Sequence, residues 1–139
     1  MIVIVARWDS SQLDPKAELR FWRQIKGAFA ASPADMKLIF VPVLLSGVTA
    51  TQCETMEEAL DVARRFAPKA KRVFLEPKGT KTLKQLPKRD MILVLGNTET
   101  GNAEHAKPSE MYGIKSVGET DLYGVNAAAI ALAVRHEYG

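Results

Sequence analysis

Four short apolar runs rich in β-branched residues, Ile2–Ala6, Lys37–Val43, Arg72–Leu75 and Met91–Leu95, punctuate the chain, with helically spaced stretches between them. Runs this short, bounded by Pro, Gly or charge, fit strands buried on both faces. Strands alternating with helices predict an α/β fold with a mostly parallel sheet flanked by helices. A weaker fifth run lies at Tyr112–Val117. At 139 residues, one domain covering 1–139 has enough chain to bury a core, and no repeat or linker divides it.

The helical segments carry their own boundary signals. Pro15–Ala30 sets Phe21, Trp22, Ile25 and Phe29 at near-helical spacing, with Asp14 as N-cap and Pro15 in the first turn. Thr55-Met-Glu-Glu58 reads as a capping box ahead of the stripe Met56, Leu60 and Ala63. Thr80–Leu86 predicts a short helical turn before Pro87, and Tyr123–Glu137 a final helix. Within that helix, Gly124-Val-Asn-Ala-Ala-Ala-Ile-Ala-Leu-Ala-Val134 is apolar on nearly every side. Such a helix has to be covered by the domain or by a partner. Together with Trp22 it suits a homodimer interface.

Composition narrows the class. With 47% hydrophobic and 25% charged residues, the chain is neither disordered nor fibrous. The lone Cys53 forms no internal disulfide, and no Cys/His cluster offers a metal site, which fits a reducing cytoplasm. Ile2–Ala6 is too short to span a membrane and has no basic leader, so no membrane partner is expected.

Charge is unevenly distributed. From Arg64 to Arg89 there are ten bases (Arg64, Arg65, Lys69, Lys71, Arg72, Lys78, Lys81, Lys84, Lys88, Arg89) against one acid, Glu76. This band is either an electrostatic footprint for a phosphate backbone, with Lys78, Lys81 and Lys84 at its centre, or a solvated rim.

In a parallel α/β sheet, ligands sit beyond the C-terminal ends of the strands. That places Glu76–Thr80, Gly96–Asn102 and Gly118–Leu122 together as candidate loops. The second is the clearest: the strand in Leu93-Val-Leu-Gly-Asn-Thr-Glu-Thr-Gly-Asn102 runs into a loop bracketed by Gly96 and Gly101. Glycine lets backbone amides come close to a ligand. The loop is neither GxGxxG nor a Walker A sequence, which weighs against dinucleotides and nucleoside triphosphates.

The order of strand, glycine-bracketed loop, short strand, polar loop and alanine-rich final helix resembles the SPOUT class of knotted methyltransferases, in particular its SpoU-type branch. The family's [FL]GxExxG motif is matched by Leu95-Gly-Asn-Thr-Glu-Thr-Gly101, with Glu99 one place late. Its Ser-Leu-Asn motif reads Asp121-Leu-Tyr123 here, ahead of the small-residue helix. Its Asn-x-Gly-x-x-x-Arg motif reads Asp14-Pro-Lys-Ala-Glu-Leu-Arg20, in which only the arginine is kept.

The resemblance implies a C-terminal trefoil knot and a homodimer. It also implies S-adenosylmethionine as cofactor and RNA as the methylated substrate, with the ribose 2′-hydroxyl one acceptor. It puts Gly79, Leu95, Gly96, Gly101, Val117 and Leu122 nearest the cofactor, and gives Arg20 the role of assisting the hydroxyl. The changes at Asp14, Lys16, Asp121 and Tyr123 keep a second reading open: a non-enzymatic nucleic-acid-binding or scaffold protein that retains the fold. A third is an unknotted flavodoxin-like or receiver-like domain.

Other polar residues point to less. Asp9, Asp14 and Glu18 suit a helix N-terminus, which attracts acids. His105 reads as a loop residue and His136 as a helix C-terminal cation. Cys53 has no activating base beside it, and Ser10 and Ser11 have no local histidine.

Overall fold

The structure, a computed structural model, describes residues 1–9, 13–77, 79–96, 102–114 and 122–139. Six strands form one sheet: β1 (Ile2–Arg7), β2 (Met36–Val41), β3 (Thr51–Gln52), β4 (Lys71–Leu75), β5 (Met91–Leu95) and β6 (Met111–Tyr112). Three helices accompany them: α1 (Pro15–Phe29), α2 (Met56–Phe66) and α3 (Gly124–Tyr138). The predicted turn before Pro87 is a single 3-10 turn, Leu83–Gln85.

The caps form as the sequence predicts. The Asp14 carboxylate accepts from the Lys16 N–H at 3.2 Å, and the Thr55 hydroxyl from the Glu58 N–H at 3.2 Å. Strand β2 stops at Val41 rather than Val43, because Pro42 has no N–H for the ladder. The Pro42 carbonyl instead accepts the Trp8 indole N–H at 2.7 Å. Of the fifth run only Tyr112 falls in a strand, as the last residue of β6, while residues 115 to 117 lie outside those described.

The strand order is β3-β2-β1-β5-β4-β6, and every pair is parallel. Strand β5 sits between β1 and β4, with Ile4 opposite Leu93 on one side and Val73 opposite Leu93 on the other. The chain then returns past β4 to add β6 at the far edge. A flavodoxin-like sheet, ordered 2-1-3-4-5, adds its later strands outward in sequence. The flavodoxin-like order is therefore not the one found.

Residue alternation along the strands fills two cores. Ile4, Ala6, Phe40, Val73, Leu93 and Leu95 face Leu19, Trp22 and Ile25 of α1 and Val125, Ala128 and Leu132 of α3. Val3, Val5, Ile39, Val41, Phe74 and Val94 face Met56, Ala59 and Ala63 of α2. Both faces are covered, which explains why the strands read as continuous apolar runs.

Two expectations about interfaces change. Trp22 is a core residue, 1% exposed and edge-on to Phe40 with ring centroids 6.5 Å apart. The described chain covers only one stripe of α3, leaving Ile130 40% exposed. Among the described residues no helix is long and apolar enough to cross a membrane.

Candidate functional site at the C-terminal strand ends

The parallel sheet delivers Arg7 at the end of β1, Glu76 just past β4 and Gly96 just past β5 to the same edge. Asn102 joins them and is fully buried. Its Oδ1 accepts from Arg7 Nε at 3.1 Å, and its backbone N–H donates to Glu76 Oε1 at 2.8 Å. Its Nδ2 is buried without a hydrogen-bond partner among the described residues. The first two predicted loops are thus joined by a polar network across three strand ends.

Gly79 lies where two backbones cross. A side chain there would collide with the Tyr112 carbonyl group, and one at Gly113 would come within 2.6 Å of the Gly79 oxygen. The same segments are tied by backbone hydrogen bonds, Glu76 N–H to Tyr112 O at 3.0 Å and Gly113 N–H to Lys81 O at 2.9 Å. Glycine is required here for proximity, since any Cβ would push the two segments apart.

A second close approach brings Gly124 at the start of α3 against Gly96. A Cβ on Gly124 would meet the Gly96 oxygen at 3.2 Å, the Leu95 Cβ at 3.6 Å and Trp22 Cζ2 at 3.8 Å. Trp22 Nε1 is likewise buried without a hydrogen-bond partner among the described residues. Two orphan donors therefore lie at this edge, one from Trp22 and one from Asn102. Leaving such groups unpaired in a core costs about 1–3 kcal/mol each, so each marks a place where a ligand oxygen would be welcome.

Of the sequence-predicted site residues, Gly79, Leu95 and Gly96 fall on these crossings, with Leu95 buried at the end of β5. Leu122 precedes α3 and is 43% exposed. Lys78, Gly101 and Val117 lie outside the described residues. Arg20 is exposed on α1, and among the described residues it makes no hydrogen bond or ion pair. Lys81 Nζ stands 5.4 Å from the Tyr112 ring centroid and Lys84 Nζ 5.0 Å from that of Tyr138. Both lysines belong to the basic band and rest on aromatic faces.

On the α2 side of the strand ends is a cleft of about 370 Å³. Arg7, Asp9, Pro42, Thr55, Glu57 and His105 are among its lining residues. His105 Nε2 is 3.3 Å from Glu104 Oε1. Cys53 is buried in the core, and burial, with the nearby Glu58 carboxylate, pushes its thiol up and disfavours the thiolate. Among the described residues no group of His, Cys, Asp or Glu could hold a metal ion.

Sequence reasoning missed three residues. Asn102 read as loop polarity, although its position directly after the glycine-bracketed segment was a usable signal. Arg7 looked like the charge that ends a strand. Glu18 read as a helix N-terminal acid, yet it is 5% exposed on the inner face of α1.

The inserted central strand, the helices on both faces and the glycine crossings at one edge form a parallel α/β fold that matches those of solved SpoU methyltransferases. The SpoU methyltransferase AviRb from Streptomyces viridochromogenes superposes with a TM-score of 0.72 at 15% identity, over 99% of this chain and 60% of that one. A candidate RNA methyltransferase from Bacillus anthracis gives a TM-score of 0.73 at 15% identity, over 99% of this chain and 94% of that one. An AdoMet-bound rRNA methyltransferase from Sinorhizobium meliloti gives 0.62 at 16% identity, over 99% of this chain and 55% of that one. The chain thus spans nearly the whole of one of these proteins and a little over half of the other two. No protein-family model matches the sequence, and no curated protein is significantly similar to it. The α/β fold expected from the sequence is the one found.

Proposed function

We propose that this chain is an S-adenosylmethionine-dependent RNA methyltransferase acting on a ribose 2′-hydroxyl. The observation that carries this reading is the crossing of Gly96 with Gly124 beside the orphan Trp22 N–H, within a fold matched over 99% of the chain by SpoU-type enzymes. Two of the matched structures are AdoMet complexes. The residues present suit such a cofactor: glycine backbones that admit close approach, and a buried donor awaiting an acceptor. When bound, the cofactor supplies an electrophilic methyl group.

This chain's own residues would do the rest. Leu95, Gly96 and Gly79 shape the wall of the pocket, with Gly101, Val117 and Leu122 as further proposed contacts. Arg20, exposed on α1, is free to lean on an incoming ribose and help its hydroxyl lose a proton. Lys78, Lys81 and Lys84 would hold the RNA backbone. Residues 1–139 would act as one domain with a C-terminal trefoil knot in a reducing cytoplasm. The uncovered side of α3, including Ile130, suits a homodimer.

One observation favours the alternative of a non-enzymatic RNA-binding or scaffold protein. Asp14 stands where the family has asparagine, and its carboxylate is engaged in capping its own helix. The two readings separate on incubation with methyl-labelled S-adenosylmethionine and RNA, followed by nuclease digestion. Label in 2′-O-methylnucleosides supports the enzyme. Salt-sensitive RNA binding with neither label nor cofactor binding supports the alternative.

A further inference from the structure

Glu18 is a buried carboxylate that the proposed reaction does not yet use. It lies on the inner face of α1, four residues before Trp22, so the two side chains share that face. Trp22 fixes where that face looks. Its Cζ2 is 3.8 Å from the side-chain position of Gly124, which itself abuts the Gly96 oxygen. Nε1 and Cζ2 are bonded to the same ring carbon, so the orphan indole N–H is on this edge too.

Helix α1 connects two parallel neighbours, β1 and β2, and so runs back against the strand direction. A rise of 1.5 Å per residue then sets Glu18 about 6 Å beyond Trp22, toward the C-terminal edge. Glu18 therefore lies one helical turn nearer the C-terminal strand ends than Trp22, the end from which the candidate loops leave.

A carboxylate held in such a low-dielectric position discriminates strongly by ligand charge. We propose that Glu18 is a specificity-determining residue that makes this pocket prefer cationic S-adenosylmethionine over neutral S-adenosylhomocysteine. The inference rests on the cofactor reading above and extends it: methyl transfer removes the positive charge, so the same carboxylate that retains the substrate form releases the product form.

The test is calorimetric titration of the full chain with three ligands. These are S-adenosylmethionine, S-adenosylhomocysteine and the analogue with an amine in place of the sulfonium methyl group. The wild type is expected to bind the two cationic ligands about tenfold or more tighter than the thioether. Glu18→Gln should erase that ratio while leaving thioether affinity within about twofold. Thermal unfolding shows whether the variant folds, and the three-ligand order in the wild type tests the charge preference without it. A wild type that binds the thioether as tightly as the cations overturns the inference but leaves the cofactor reading standing. So does a Glu18→Gln variant that weakens all three ligands equally. Absence of binding by all three ligands overturns both.

Discussion

Arg7 and Asn102 are 95 positions apart, yet Arg7 Nε donates to Asn102 Oδ1 at 3.1 Å inside the C-terminal edge of the sheet. The bond joins the end of the first strand to the residue that follows the glycine-bracketed loop. Removing the acceptor leaves a part-buried guanidinium short of a partner and opens a small void. Asn102→Ala is expected to cost about 1–3 kcal/mol in urea denaturation. Asn102→Asp, which keeps the acceptor, should recover part of the loss.

The glycines separate by what surrounds them. Gly79→Ala forces a methyl group into the Tyr112 carbonyl and is expected to destabilise by about 2–3 kcal/mol. Gly27 lies in α1 with open space around its side-chain position, so Gly27→Ala should stabilise by about 0.5–1 kcal/mol. Paired thermal melts of the two variants should move in opposite directions.

Glu110 provides a pH signature. Burial pushes its carboxyl up, but hydrogen bonds from Arg72 and the Lys107 N–H, with the charges of both residues, outweigh burial and hold it below the ordinary carboxylate range. A depressed folded value means that its stabilisation is present above the unfolded pKa of about 4.3 and fades as pH falls through the folded value. Glu110→Gln should cost about 1 kcal/mol at neutral pH. In denaturation series, the gap from wild type should begin to close below about pH 5 and go on closing as pH falls through the lowered folded value.

Lys81 and Lys84 are tested by salt. If they hold an RNA backbone, the double charge reversal Lys81→Glu, Lys84→Glu should weaken binding of an RNA oligonucleotide. It should also lower the slope of log K against log salt by roughly one per lost phosphate contact. An unchanged slope would mean that the band is a solvated rim.

Ile130 tests association. The exposed side of α3 is expected to be covered by a second copy, so Ile130→Asp should shift sedimentation velocity from dimer to monomer while leaving helical content intact.

Legibility in the sequence tracked how far a signal depends on neighbours in sequence alone. Met91–Leu95 was read with its true boundaries, because a strand buried on both faces is apolar at every position. Thr51–Gln52 was not read at all, since two residues carry no period. Trp22 was correctly set on an apolar face, but spacing does not say what covers that face; Phe40 and α3 do. Glu18 was misread for the opposite reason. A charge near a helix start normally faces water, and only the docking of α1 against the sheet turns this one inward. The site was legible as a set of glycines, and its polar members were hidden because they meet across long sequence separations.

The insertion of β5 between β1 and β4 has a consequence for how the molecule is made. A ribosome releases β1, α1, β2, β3, α2 and β4 before Met91 emerges. Until then, β1 and β4 each carry an open edge facing the same gap, and nothing joins the two halves of the sheet. Open parallel edges invite wrong pairings and aggregation. Met91–Leu95 therefore acts as a keystone: a chain cut short before it has one partial sheet, β3-β2-β1, and a lone β4 with no strand to join it to them. In synthesis the hazardous interval ends late, when five apolar residues fill a slot already flanked on both sides.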